Sequence, residues 1–289
     1  MRERLHATAV IARTQAAELL LSPGPYAALA AGLAIGWVLC SGFARAIDSS
    51  GFNPRLDPVW DILTRAFSGA FGPVFVERML AEGPFLLILA VSSAPLLLLL
   101  VIGSVVRFGM DKASGALELI VSGPADGTSC FLGSFLKDAV AAAAGLAVIA
   151  LYCVMLAAAR NLSVGPMALA AIPVILSAAL SISAIGLFCS ILLANAGGAL
   201  ALFTTVCLLF LGTLAGSIGA SGSSFRAGAQ IASRVIQWLS PFYYARLCAQ
   251  GYGGGSALQY GGGLGMLAVL TAAVLAAGHL VMRRRGVRA

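Results

Sequence analysis

RFGMDKASGALELIVSGPADGTSCFLGSFLKD, residues Arg107 to Asp138, is the densest charged island in the middle of an otherwise apolar chain. It carries Arg107, Asp111, Lys112, Glu118, Asp126, Lys137 and Asp138 between two long apolar runs. A charge at the bilayer centre costs about 2.5–3.5 kcal/mol on insertion scales. The stretch is therefore expected in water or against a water-soluble partner. Within it, Ala113 to Val121 reads as a short helix with Leu117, Ile120 and Val121 on or near one side. Ser122-Gly123-Pro124 stops that helix, and Asp126 reads as the N-cap of a second one.

Composition sets the class. Apolar residues make up 60% of the 289 positions and charged residues only 10%, with a mean hydropathy of +0.97. A water-soluble domain carries roughly a quarter charged residues. Apolar runs of about 20 residues point to spanning helices rather than barrel strands. The net charge of +7 fits basic residues held at a cytosolic face, and nucleic-acid binding is not expected. Cys40, Cys130, Cys153, Cys189, Cys207 and Cys248 are scattered without a CxxC and read as small buried hydrophobes.

In chain order, residues 1–25 read as an amphipathic interfacial segment, with Leu5, Ala9, Ala12, Ala16 and Leu19 on one face. Residues 26–283 read as a transmembrane domain of six spans, expected over 26–43, 85–106, 139–159, 167–193, 200–218 and 263–282. Two long loops, 44–84 and 220–262, lie opposite the polar stretch 107–138. In the first, Trp60, Phe67, Phe71 and Phe75 suggest a helix at the membrane interface. The second is broken at residues 219–222 and at Ser240-Pro241, as two short re-entrant helices would be. Residues 284–289 form a basic tail. The first and fifth spans hold Gly32-x-x-x-Gly36 and Gly212-x-x-x-Gly216, spacings that let helices approach closely. Even span number puts both termini on one side, and the positive-inside rule puts that side in the cytosol.

The polar stretch resembles the type-2 permeases of ABC transporters. Those proteins carry an acidic and a basic residue before a Gly-Thr/Ala-Leu-Glu-Leu run, then a small-residue and proline turn, then Leu-Gly-Lys-Phe-Leu. Here stand Asp111, Lys112, Gly115-Ala116-Leu117-Glu118-Leu119, Ser122, Pro124 and Leu132-Gly133-Ser134-Phe135-Leu136. The chain departs at Ser134, where lysine is usual, and at Asp111, where glutamate is commoner. The resemblance implies an all-α, six-span integral membrane protein whose coupling helix docks on cytosolic ABC ATPase subunits. It implies that ATP and magnesium bind on those partners, with no cofactor on this chain. It also implies a second permease copy or paralogue, across the substrate path from the first and fifth spans. Leu117, Glu118 and Leu119 are then the docking residues, with Gly115 for close approach and Pro124 for the break; Asp111, Lys112, Ser122 and Asp126 complete the coupling set. Export across the cytoplasmic membrane is implied by resemblance alone.

The chain lacks a G-x-x-x-x-G-K-[ST] loop and any HExxH or GxSxG constellation, so no catalytic or metal-binding residue is expected. The apolar runs contain no Asp, Glu, Lys or Arg, which argues against an ion-coupled secondary transporter. A further alternative is a membrane scaffold that drives an extracytoplasmic or motility process. Beyond Asp138 the chain holds no acidic residue, so Arg226, Arg234 and Arg246 of the second long loop need partners. The acids of the first loop are the ordinary ones; an anionic or amphiphilic substrate, or a membrane lipid headgroup, is the sharper one.

Overall fold

The computed structural model describes residues 2–48, 51–71, 76–77, 80, 84–115, 127–162, 164, 166–193, 195–215, 234–253 and 256–285. Among them the chain is almost wholly helical. Five helices are long and apolar enough to cross a membrane, which makes the chain a multi-pass, all-α membrane protein. They are α2 (Pro23–Arg45), α4 (Phe85–Ala113), α5 (Gly127–Ala159), α6 (Pro166–Leu192) and α9 (Ala257–Arg285). In α7 (Ala196–Ala215) the apolar stretch through Gly212 is shorter than in these five.

Packing centres on α4 and α6, the two most enclosed spans. α4 packs against α2, α5, α6 and α7, and α6 also touches α5, α7, α8 (Pro241–Gly253) and α9. Leu87, Ile88 and Leu89 of α4, Leu39 of α2, and Leu146 and Ile149 of α5 form the tightest part of the core. Each apolar helix satisfies its own backbone internally, as hydrocarbon requires, so side-chain fit sets the arrangement.

Helix boundaries differ from the sequence reading in one consistent way. α4 runs on to Ala113, seven residues past the expected end of its span at Val106, and α5 starts at Gly127, where the Asp126 cap put a helix, and continues unbroken through the span expected from residue 139. The polar stretch 107–138 is thus mostly helix, and only residues 114–126 separate α4 from α5. The last helix likewise begins at Ala257, ahead of the expected Gly263. Charged residues were assigned to water by their type, but a helix end flanked by other helices can hold them.

Two elements expected at a membrane surface pack on the bundle. α1 (Arg2–Leu21) packs along α5, with Ala12 buried and Ile11 against Gly133, while Ala9 of the expected face is exposed. Ser22 then caps α2, its hydroxyl accepting from the Gly24 amide at 3.4 Å, with Pro23 in the first helical position. In the first long loop, β1 (Ile47–Asp48) and β2 (Gly51–Phe52) pair antiparallel and lead to α3 (Pro58–Phe71). Trp60 is not an interface residue: it is fully buried, lies 5.3 Å from Phe43, and donates its indole N–H to the Leu39 carbonyl at 3.1 Å. Phe75 lies outside the described residues.

The Gly32 and Gly36 pair is also spent within the chain, which corrects its expected role at a subunit contact. A methyl on Gly32 would overlap the backbone carbonyl oxygen of Ser92, and one on Gly36 would lie 3.1 Å from the Cys153 sulfur and 3.2 Å from the Ser92 hydroxyl. α2 is seated on α4 and α5 through this notch. Gly32→Ala is expected to destabilise the protein by about 1–3 kcal/mol through overpacking. Gly103→Ala, with open space around it, should be neutral or stabilising by up to about 1 kcal/mol. Denaturant unfolding in micelles reads both; equal effects would show that the notch is loose.

Candidate functional site: a buried polar clamp above the interhelical bracket

The bracket between α4 and α5 starts with a fixed helix end. Ser114 donates its amide to Met110 at 2.9 Å and Gly115 to Lys112 at 3.2 Å. Gly115 has φ of +74°, the left-handed value that ends helices, and nothing lies within 4 Å of a side chain placed there. Within this chain its glycine is needed for the turn.

Lys112 points back toward the bundle. Its ammonium donates to the carbonyls of Ile191 and Leu193, at 3.1 and 3.2 Å. These are unsatisfied carbonyls at the negative end of α6, where a cation is favoured. Lys112 thus ties α4 to α6. Arg107 pairs with Glu18 of α1, and Ser134 of α5 bonds Gln15 of α1 at 3.1 Å. Asp111 is half-buried on the same turn of α4. The remaining docking candidates, Leu117, Glu118, Leu119, Ser122, Pro124 and Asp126, lie outside the described residues.

Farther along both helices sits a charged pair that the sequence reading placed in water. Lys137 and Asp138 have side chains only 5% and 2% exposed, with the ammonium 3.0 Å from Asp138 Oδ1. Ser104 of α4 donates to Oδ1 at 2.7 Å and accepts from Lys137 at 3.0 Å. Ser183 of α6 donates to Oδ2 at 2.9 Å. One helix supplies both charges, and each neighbouring helix supplies one hydroxyl. A second tie, Ser190 to the Val105 carbonyl at 3.0 Å, runs beside it from α6 to α4. The clamp lies about 15 Å from the bracket along either helix. Hydropathy missed it because a paired charge and a bare one look alike in sequence. The available signal was an adjacent Lys-Asp between apolar neighbours, with serines isolated in two other apolar runs.

The other candidates are not gathered with the clamp. Gly212 faces open space, and Gly216 lies outside the described residues. Asp57 pairs with Arg45 at 3.1 Å and Asp61 with Arg65 at 2.6 Å, so these acids serve their own end of the chain. Arg234 is exposed and Arg246 half-buried, and neither has an acidic partner among the described residues; Arg226 lies outside them. Cys40, Cys130, Cys153, Cys189 and Cys248 are buried free thiols and Cys207 is partly buried. Burial pushes the Cys248 thiol up to about 11, far from the thiolate that reactive chemistry needs. Among the described residues no three His, Cys, Asp or Glu side chains are grouped to hold a metal ion.

The clamp predicts a specific double-mutant cycle. Removing one partner leaves a buried charge unpaired, which costs about 3–5 kcal/mol. Asp138→Leu and Lys137→Met should each lose that much in unfolding experiments, while the double variant Lys137→Met/Asp138→Leu should recover most of it. Additive losses would mean that the two charges do not interact.

No family model, curated protein or solved structure matches the chain.

Proposed function

We propose that this chain is the membrane-spanning permease of an ATP-driven exporter of the type-2 ABC kind, working with a separate cytosolic ATPase. One observation carries the reading. The Gly115-Ala116-Leu117-Glu118-Leu119 run leaves the end of α4 at a fixed left-handed turn, and the helices on either side of it are locked together by the clamp. A push on the bracket is then delivered to a rigid unit. α4 and α5 share Ser104, Lys137 and Asp138, while α6 joins through Ser183 and the Lys112 bonds. α1 is held by Arg107 and Ser134. ATP-driven closure of two ATPase subunits would tilt this unit and alternate the access of a path between two permease copies. In this reading α7 is the fifth of six spans, both termini are cytosolic, and the membrane is the cytoplasmic one.

The buried Lys137–Asp138 pair favours a second reading, an ion-coupled transporter, because acids and bases within membrane helices often serve as relays. A relay carboxylate must exchange partners. Both oxygens of Asp138 are already engaged by Ser104, Lys137 and Ser183, which fits a structural clamp better.

The test is co-purification from native membranes. The wild-type chain should bring down a nucleotide-hydrolysing subunit. Leu117→Asp and Glu118→Lys should reduce its recovery at least about tenfold while leaving the permease folded. Transport that follows an ion gradient and ignores ATP would replace the exporter reading with the ion-coupled one.

A further inference from the structure

Between α4, α6, α7 and α8 lies an apolar cleft of about 500 Å³. It follows α4 from Leu86 to Ile102, about 24 Å of helix rise, which is most of the roughly 30 Å hydrocarbon thickness. Its walls are apolar over that whole length, which suits a hydrocarbon chain laid along α4.

The lining offers an occupant almost no hydrogen bonds. Ser93 donates to its own helix at the Ala90 carbonyl, 3.1 Å away, and Thr204 to Leu200 at 2.8 Å. Cys207 adds only a weakly polar thiol. Polarity is found at one border. Phe242, Ala245 and Ala249 of α8 line the cleft, and Arg246 stands beside them, four residues after the first and three before the last. Arg246 is half-buried and without an acidic partner among the described residues.

We propose that this cleft binds the single hydrocarbon chain of an anionic amphiphile, with Arg246 meeting the headgroup. The site does not depend on the ATPase reading, since the ligand would bind the isolated chain without nucleotide.

The test uses the purified full chain in nanodiscs of zwitterionic phosphatidylcholine, without ATP. The probe is hexadecanoate with a photoreactive diazirine in mid-chain, and labelled peptides are mapped. Labelling should be saturable, fall on α4 and α6, and be competed by hexadecanoate far better than by octanoate. Ala178→Phe, which narrows the cleft, should reduce it about tenfold. Arg246→Gln should weaken competition by hexadecanoate about tenfold while leaving hexadecanol unchanged. Labelling that does not saturate, or that spreads over the exposed faces of α5 and α9, would reduce the cleft to ordinary lipid contact and overturn the proposal. Crosslinks joining two copies through Leu98 or Leu211 would assign it to a second copy instead, with the same result. Should Ala178→Phe not fold, mapping and competition on the wild-type chain decide the matter. Equal weakening of acid and alcohol by Arg246→Gln would refute the headgroup contact.

Discussion

A lysine and an aspartate side by side on one helix, almost wholly removed from solvent, constrain everything packed around them. Consecutive helical residues point about 100° apart, so Lys137 has to bend its stem across α5 to reach the Asp138 carboxylate. Withdrawing each ion from water costs several kcal/mol. The return comes only if the remaining polar positions are filled, and here they are filled from outside α5. Ser104 of α4 accepts from the ammonium and donates to the carboxylate, and Ser183 of α6 donates to the other oxygen. Sliding any one helix by a single residue would break a bond to a buried charge. The clamp therefore sets the axial register of three helices whose apolar surfaces alone would tolerate several.

This explains which parts of the architecture were legible in the sequence. Class was legible, since hydrocarbon admits only closed backbone hydrogen bonding and the apolar runs are long enough for helices. The helix end at Gly115 was not: the sequence reading ran a short helix through Ala113 to Val121 and put the stop at residues 122–124, whereas Gly115 already turns left-handed. A helix from Gly127 was expected from the Asp126 cap, but the continuation of α4 through 107–113 and the burial of the charges at 137–138 were not, since a transfer scale charges each residue as though it were alone. Lys112 on the α6 carbonyls and Arg107 on Glu18 escape that cost through partners distant in sequence, and Lys137 and Asp138 through each other and the serines of α4 and α6. The Gly32 and Gly36 notch was legible as a close approach, but spacing alone carries no address, and the helix received there is α4 of the same chain. Trp60 was misread for a related reason: an indole near an apolar run suits an interface or, given a carbonyl such as that of Leu39, a core.

α4 links the parts into one device. Its end at Lys112 and Gly115 meets the bracket, Ser104 enters the clamp, and the stretch from Leu86 to Ile102 walls the apolar cleft. Pro95 lies inside the helix within that wall. Proline removes one rung of the backbone ladder and crowds the preceding turn, so bending is easiest there. The helix is thus braced between its bracket end and the clamp, and Pro95 is the point at which its backbone ladder is weakest. A displacement applied at the bracket would be carried unchanged past Ser104 and taken up around Pro95, where the cleft would widen or narrow.

That distribution of stiffness also separates the two transport readings on physical grounds. An ion-coupled carrier stores its energy in a titrating or ion-binding group whose bonds change with state, and rigid ties around that group oppose the change. A motor-driven permease needs the reverse, ties that survive the stroke so that force arriving at one end is not lost in local rearrangement. Around Asp138 every carboxylate oxygen is bonded to a different structural element or to its own neighbour, and a second serine bond from Ser190 to Val105 runs alongside. Such redundancy suits transmission rather than exchange. On the proposed reading the charges are retained in the bundle because they hold three helices in register.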